Sequence, residues 1–424
     1  MANADLLISN IGQLLTCANS GKPKRKEQMQ DVGLIRDAAV AVRDGSIVAA
    51  GKMKELEDQY TAKQVLDAQG KAVCPGFVDP HTHLIFAGDR IAEFEMRLRG
   101  ASYLDIMAAG GGIAFTAQAT QKASLEQLIE IGKMRLDQLL ELGTTTVEIK
   151  SGYGLESIHE IKILEAAVQC AANHVVDVVI TFLGAHAVPQ KYRENVEGYV
   201  DLVIHEMLPM VKDWWNKHPE VEKLYNDVFL EKGAFSLEQS RQILESGKHL
   251  GLLPKLHADE FTSMGGVKLA VELGATSVDH LDVTSIDDIR LLAESDTVAV
   301  VLPAVNFNLG STTFAPARDL IDHGAILALA SDYNPGSAPC LSMPLVMAIA
   351  CRYQRLTPAE ALNASTINAA FAIGMETKVG SIEAGKQADL LLLEVQDYRH
   401  LAYQFGTNQI NTVIKKGKVV YTKK

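Results

Sequence analysis

The chain has 424 residues, a length that exceeds one ordinary core and suits a large barrel with a small accessory domain. Its net charge of −12 and isoelectric point of about 5.5 argue against nucleic acid as a partner. The five cysteines form no CxxC pair, no signal peptide is recognisable, and no apolar stretch approaches the ~20 residues of a membrane helix. We therefore expect a cytoplasmic protein that does not associate with a membrane.

Both ends of the chain have strand-like sequence. Asp44-Gly45 separates two short apolar runs, a pattern that predicts a β-hairpin. The segments 388–394 and 412–421 are similarly strand-like, with a turn at Lys416-Gly417. We predict one small β-sandwich domain built from residues 1–70 together with 375–424, beside a catalytic domain of residues 71–374.

The middle of the chain alternates between apolar runs and helical patterns. One helix is predicted from Ser124, whose capping box with Gln127 precedes apolar residues at helical spacing as far as Leu142. The segment 197–217 is predicted to be a helical excursion. The eight predicted strands are Gly76–Pro80, Thr145–Lys150, Asp177–Gly184, Asp227–Leu230, Leu252–His257, Ser277–His280, Val298–Leu302 and Ile326–Ser331. Eight such alternations predict a parallel (β/α)8 TIM barrel in the α/β class.

Five polar side chains stand where apolar runs end. The segment VCPGFVDPHTH ends in His81 and His83, whose i, i+2 spacing places both imidazoles on one face of an extended chain. His257, His280 and Asp332 close three later runs. Alone, the first pair could be two hydrogen-bonded loop histidines. Because the strand ends of a barrel converge, the whole set predicts a metal site that activates water for hydrolysis.

A carboxylate near this site would have to accept the proton of the water. Glu260, three residues beyond His257, is the candidate for that role. The alternative is that Glu260 caps the helix that follows.

The motifs PGFVDPHTH, HADE, VDH and the terminal ASD resemble the amidohydrolase superfamily, as does GSIEAGKQADLLLLE. The combination of HTHLIFAGDR, GGGI, EIKSGYGL, TFLGAHAVP, LHADEF and SDYNPGS is similar to one family within it, the imidazolonepropionases of histidine breakdown. This resemblance covers nearly the whole chain. It implies hydrolysis of 4-imidazolone-5-propanoate to N-formimidoyl-L-glutamate, and a homodimer.

The resemblance also implies the roles of the metal residues. His81, His83, His257 and Asp332 would bind one zinc or iron ion per chain, and spacing alone does not choose between the two metals. Glu260, His280 and Asp332 would be the catalytic residues. Glu260 would move the proton, His280 and the metal would stabilise the oxyanion, and Asp332 would also assist proton transfer.

A single metal is expected because of where the lysines fall. Many superfamily members bind two metals bridged by a modified lysine after the fourth strand. Lys150 follows the second predicted strand, and Lys232 lies beyond the apolar run of the fourth. We expect Lys150 to be a structural ion-pair partner.

The substrate contacts are implied by the resemblance as well. From the residues alone, Arg90 suits a carboxylate but could equally form a surface ion pair, and His186 could be a packed histidine. The implied set is Arg90, Tyr103, Tyr153, His186, Glu260, Asn334, Gly336 and Ser337. Two alternatives remain: a deaminase of the same superfamily, which would need no carboxylate clamp at Arg90, and a ligand-binding barrel without catalysis.

Overall fold

The computed structural model describes residues 1–101 and 111–423, in which the strands form two eight-stranded sheets. In chain order the strands are β1 (Ala2–Leu15), β2 (Leu34–Arg43), β3 (Ser46–Lys52), β4 (Tyr60–Asp67), β5 (Ala72–Pro75), β6 (Phe77–Asp79), β7 (Thr144–Lys150), β8 (Asp177–Ala185), β9 (Leu224–Leu230), β10 (Leu253–Ala258), β11 (Ser277–His280), β12 (Val298–Val301), β13 (Ile326–Leu329), β14 (Leu390–Leu393), β15 (Ile410–Lys415) and β16 (Lys418–Thr422).

The strands β6 to β13 form the predicted barrel. They are parallel, each pairs with the next in chain order, and they correspond one to one with the eight predicted strands. Their residues are almost entirely buried, as expected where helices cover a parallel sheet. The ends of the sheet approach each other just beyond β6 and β13, where Thr82 and Tyr333 form a parallel bridge and His83 N donates to Tyr333 O at 2.9 Å.

Helices connect and cover the strands. The capping box predicted at Ser124 is present, and a second one at Ser236 begins the helix Leu237–His249. The predicted excursion is two α-helices joined by a π-helical turn at Val203–Met207. The α-helices of the described residues are Met53–Gln59, Ile91–Leu98, Ile113–Lys122, Leu125–Glu141, Ser157–Asn173, Val196–Leu202, Leu208–Asn216, Leu237–His249, Gly266–Leu273, Ile286–Ala293, Pro303–Leu309, Ala317–His323, Met343–Tyr353, Pro358–Ala364, Ile367–Ala372 and His400–Tyr403, with 3-10 turns at Lys26–Gln30 and Gln190–Tyr192. Within the described ranges, no helix has the length and apolar character needed to cross a membrane.

The second sheet joins the two ends of the chain into a small domain. Its order is β16-β15-β14-β5-β1-β2-β3, and β4 pairs with β1 beside this path. The predicted hairpin is present as the β2–β3 pair. The sheet curls so that Ser46, at the start of β3, bridges to Gln387 near β14. Buried residues from both parts of the chain, including Ile8, Val40 and Leu390, share one apolar core.

The terminal sheet predicts a sharp difference between two truncations. Ending the chain at residue 408 removes β15 and β16, including the buried Ile410, Val413 and Ile414. It leaves the edge of β14 unpaired, so we expect insoluble protein in place of a folded barrel. Ending it at residue 417 removes only β16, whose side chains are exposed or half-buried, and should leave a soluble chain. Soluble yield and circular dichroism measure both, and a folded 1–408 product would contradict the prediction.

Candidate active site

The residues predicted at strand ends converge on one rim of the barrel. His81 and His83 follow β6, His257 lies near the end of β10, His280 ends β11, and Asp332 follows β13. Each is at most 3% exposed, although none is apolar. The predicted convergence is therefore present in the structure, and it concentrates imidazole and carboxylate groups in a site largely shielded from water.

The four predicted metal ligands are close enough to share one ion. Ligand atoms of His81, His83 and His257 lie within 4.8 Å of one another. Asp332 Oδ1 lies 3.4 Å from His81 Nε2 and 3.5 Å from His83 Nε2. Among the described residues, Asp332 Oδ1 and the Nε2 atoms of His81 and His257 have no hydrogen-bond partner despite their burial. Buried polar atoms without partners are costly, so this arrangement fits a bound cation.

The protonation of these groups also suits a cation. Burial lowers the pKa of His81, His83 and His257 well below the ordinary value, which leaves the imidazoles neutral with free lone pairs. Burial raises the pKa of Asp332 to about 8. A divalent cation beside this carboxyl group would favour its charged form. The donor set of three imidazoles and a carboxylate suits zinc or iron.

A second group of charged side chains fills the barrel interior beside the histidines, and we call it the interior charge cluster. Its members are Glu148, Lys150, Asp227, Lys255 and Asp279, all 1% exposed or less. Lys150 Nζ lies 2.7 Å from Asp227 Oδ2, 3.1 Å from Glu148 Oε2 and 3.3 Å from Asp279 Oδ2. Burial opposes charge on Lys150, but the three carboxylates outweigh it and raise the pKa of the ammonium. Lys150 thus has the predicted ion pairs.

Glu260 and His280 form a pair next to the predicted ligands. Glu260 Oε2 lies 3.8 Å from His280 Nε2. Burial, followed by the charges of Asp332, Asp282 and Glu231, raises the pKa of Glu260 well above its usual value. The following helix begins after Gly265 without a side-chain cap, so the alternative role of Glu260 as a helix cap is not what the structure shows.

Arg90 is held in the loop after β6, with its guanidinium against the loop after β13. Arg90 Nε donates to Glu93 Oε2 at 3.0 Å, and these side chains are only 13% and 11% exposed. A Cβ atom on Gly336 would lie 2.2 Å from Arg90 Cζ, so the guanidinium occupies space that only a glycine leaves open. The ion pair considered from sequence is present, but it is largely buried.

Tyr153 and His186 adjoin the predicted metal ligands. The ring of His186 stacks on His83 with centroids 4.7 Å apart, and its Nδ1 lies 3.0 Å from Gly152 O. Tyr153 is 2% exposed, with its ring centroid 5.8 Å from that of His83. His186 is therefore both the packed, hydrogen-bonded histidine considered from sequence and a neighbour of the metal set.

The loop after β13 is organised by Asn334. Its Oδ1 accepts from the backbone N–H groups of Gly336 and Ser337, each at 2.8 Å. Its Nδ2 donates to Ser337 Oγ at 2.7 Å, and that hydroxyl lies 3.4 Å from Asp332 Oδ2. These three predicted substrate residues hold one another in place. Tyr103, the remaining one, lies outside the described residues.

Left-handed backbone occurs in three residues of this rim. Asp259 has φ of +57°, His280 of +82° and Asp332 of +52°, conformations that residues other than glycine adopt rarely. Such backbone persists where surrounding contacts fix it, and it is frequent at functional sites. Here it turns the chain sharply at three strand ends.

Several buried acids that shape the site were not identified from sequence. Glu160 accepts from the backbone N–H groups of Gly152, Gly154 and Leu155, and so fixes the loop that carries Tyr153. Glu231 accepts from Phe261 N and Thr262 N, next to Glu260. Glu93 was missed as well, as were four members of the interior charge cluster. For the cluster a signal existed: charged residues at alternate positions of strands buried on both faces, as in Glu148 and Lys150.

Comparison with known proteins gives a consistent result. Sequence models described as amidohydrolase family match residues 231–420 and 64–122. An imidazolonepropionase from Herpetosiphon aurantiacus is 54% identical over 99% of this chain and 98% of that protein. Another from Geobacillus kaustophilus is 50% identical over 98% of this chain and 97% of that protein.

Solved structures support the fold. An adenosine deaminase from Xanthomonas campestris with bound zinc has a TM-score of 0.69 at 21% identity, covering 99% of this chain and 94% of that one. The E. coli guanine deaminase has a TM-score of 0.73 at 17% identity, covering 99% of both chains. At such low identity these structures show the shared fold alone, whereas the full-length sequence matches are decisive: the chain belongs to the imidazolonepropionase family of amidohydrolases.

Proposed function

We propose that this protein hydrolyses 4-imidazolone-5-propanoate to N-formimidoyl-L-glutamate, the third step of histidine degradation. The observation that carries the proposal is the pairing of two features: an unsatisfied set of three histidines and Asp332, and the guanidinium of Arg90 in a loop of the same rim. Tyr153 lies beside the histidines of this set, with its ring centroid 5.8 Å from that of His83. The substrate likewise joins a reactive ring to a carboxylate.

His81, His83, His257 and Asp332 would hold one zinc or iron ion. When bound there, the ion would lower the pKa of a water molecule and polarise the ring carbonyl. Support for this ligand set comes from burial, from neutral imidazoles, and from buried atoms of His81, His257 and Asp332 that have no hydrogen-bond partner among the described residues.

Glu260 would act as the proton carrier of the reaction. Burial raises the pKa of Glu260 above its ordinary value, which makes its carboxylate a stronger proton acceptor than that of an exposed glutamate. The oxygen of the water bonds to the ring carbonyl carbon, the adjacent carbon–nitrogen bond breaks, and Glu260 returns the proton to the departing nitrogen. His280, 3.8 Å from Glu260, would stabilise the negative charge on the carbonyl oxygen, and Asp332 would assist proton transfer.

Arg90 would bind the propionate tail. Its Nε is already committed to Glu93, which leaves the two terminal nitrogens of the planar fork to face a carboxylate. The other proposed substrate contacts are Tyr153, His186, Glu260, Asn334, Gly336, Ser337 and Tyr103. The loop bonds of Asn334 imply that it acts mainly by presenting the backbone of Gly336 and Ser337.

The wider setting is part of the proposal. We place the enzyme in the cytoplasm, as a homodimer that needs no nucleic acid or membrane.

We propose that the chain has two domains, a small domain of residues 1–70 and 375–424 and a barrel of residues 71–374. Strand β5 at Ala72–Pro75 pairs within the terminal sheet and marks where the chain passes from the small domain to the barrel.

Metal removal tests the ligand assignment. Chelation should abolish hydrolysis, and one equivalent of zinc or iron per chain should restore it, because the three histidines and Asp332 lie close enough to share one ion and Lys150 is paired with carboxylates. Metal analysis measures the ion content, and the loss of the ultraviolet absorbance of imidazolonepropionate measures the activity. A reproducible two ions per active chain would contradict a mononuclear site, and full activity in metal-free protein would contradict the function.

Glu260→Gln should keep the metal and lose most turnover. The amide preserves size but cannot carry the proton, and general-base catalysis is worth roughly 10²–10⁴-fold in rate. The measurement is kcat with parallel metal analysis. If the variant purifies without its metal under conditions that load the parent protein, Glu260 is a ligand and the assigned role is wrong.

Arg90→Met should keep metal and fold while kcat/KM falls at least ~10-fold, because charge-assisted hydrogen bonds contribute about 1.5–3 kcal/mol. The matched control is Arg99→Met at the C-terminal end of the helix Ile91–Leu98, because the Arg99 side chain is 77% exposed and its replacement should leave kcat/KM unchanged. An analogue without the carboxylate should be a poor substrate that is nearly indifferent to Arg90→Met. Equal losses on both substrates would assign Arg90 to structure or catalysis in place of carboxylate binding.

A further inference from the structure

The interior charge cluster is a group of buried acidic and basic side chains that the proposed chemistry leaves unused. Burying five charged groups in a barrel is unfavourable unless each is paired, and even paired charges seldom add net stability. Its pairing is nevertheless close to complete: Lys255 Nζ donates to Glu148 Oε1 at 2.7 Å, and Lys150 contacts three carboxylates. Stability alone does not account for such a cluster at this depth.

Two carboxylates of the interior charge cluster lie beside the Nδ1 atoms of two predicted metal ligands. His81 Nδ1 lies 2.6 Å from Asp279 Oδ2, and His257 Nδ1 lies 3.0 Å from Asp227 Oδ2. The opposite ring nitrogens, His81 Nε2 and His257 Nε2, have no hydrogen-bond partner among the described residues, and His257 Nδ1 lies within ion-pair distance of Asp227 without forming a hydrogen bond. Each imidazole therefore has a carboxylate on one side and the proposed metal position on the other.

The hydrogen bond with Asp279 determines where the hydrogen of the neutral His81 ring resides. A carboxylate held by an ammonium group is an acceptor only, so the ring nitrogen beside it must donate. With hydrogen on Nδ1, the lone pair is on Nε2, where a cation would bind it. Lys150 bridges Asp227 and Asp279, and so fixes both carboxylates relative to each other.

We infer that Asp279 and Asp227 are positioning residues for the metal: Asp279 holds His81 in the tautomer and ring orientation that binds a cation, Asp227 lies against Nδ1 of His257, and Lys150 holds both carboxylates. The inference rests on the proposed ligand set. Outer groups of this kind typically contribute 10–100-fold to metal affinity. Asp279 lies closer to its histidine than Asp227 does, so we expect it to contribute more to metal affinity.

Asp279→Asn and Glu148→Gln form a matched pair of variants. Both exchange a fully buried carboxylate for an amide of equal size, and both remove a partner of Lys150. The difference is that Asp279 contacts a histidine of the metal set, whereas among the described residues the Glu148 side chain contacts Lys150, Lys255 and Thr181. If removing a buried charge lowers metal affinity, both variants should show it. If the positioning of the histidine matters, only Asp279→Asn should show it.

The measurement is the Kd of the full-length metal-free chain for Zn²⁺, by competition with a chromophoric chelator, together with the visible spectrum of the Co²⁺ form. Asp279→Asn should raise the Kd at least ~10-fold and alter the Co²⁺ spectrum. Glu148→Gln should keep the Kd within about threefold of that of the parent chain and leave the Co²⁺ spectrum unchanged. This should hold even if the melting temperature of its metal-free form falls as much as that of Asp279→Asn. Asp227→Asn, acting through His257, should change the Kd in the same direction.

The outcomes separate cleanly. An unchanged Kd in Asp279→Asn overturns the inference, and so does an equal loss in Glu148→Gln. If Asp279→Asn fails to fold, the comparison of Asp227→Asn with Glu148→Gln decides in the same way. Failure of the parent chain to bind Zn²⁺ would instead overturn the proposed ligand set.

Discussion

The hydrogen bonds that close the barrel between its first and last strands are the interaction on which the site depends. Asp79, at the end of β6, accepts from Ser331 N at 3.0 Å and from Ser331 Oγ at 2.5 Å. Asp332 N then donates to His81 O at 3.1 Å. These bonds bring the carboxylate of Asp332 within reach of histidines from the opposite end of the barrel sequence. Without closure, the donors would be distributed along the edge of an open sheet.

Buried side-chain acceptors hold three loops of the rim. The loops carrying Tyr153, Glu260 and Ser337 are each tied by a side-chain oxygen that accepts two or more backbone N–H groups, from Glu160, Glu231 and Asn334 respectively. Each loop thereby satisfies its own backbone without taking part in a strand ladder. Such loops hold their groups in place before a substrate arrives, which lowers the cost of orientation during reaction.

The barrel and the metal candidates could be predicted because both have strong local signals. Alternating strand and helix patterns mark the eight units, and each candidate ligand ends an apolar run, as His257 does after Leu252–Leu256. The acids that position these groups could not be found in this way. Glu93 and Glu160 lie in helices, where charged residues are usually exposed. They are buried because loops fold over them, and that folding depends on contacts that the local sequence does not show. Sequence likewise did not reveal that Gly336 makes room for Arg90.

The terminal sheet has a consequence for how the chain is made. β5 pairs with β1 on one side and β14 on the other, and the entire barrel lies between β5 and β14 in sequence. A ribosome releases the N-terminal strands first, so one edge of β5 lacks its partner until almost all of the chain has emerged. During that interval β1 to β5 present an open, apolar strand edge, the kind of surface that pairs with other chains. The small domain is thus the last part to be completed, and crowding among nascent chains bears on it more than on the barrel.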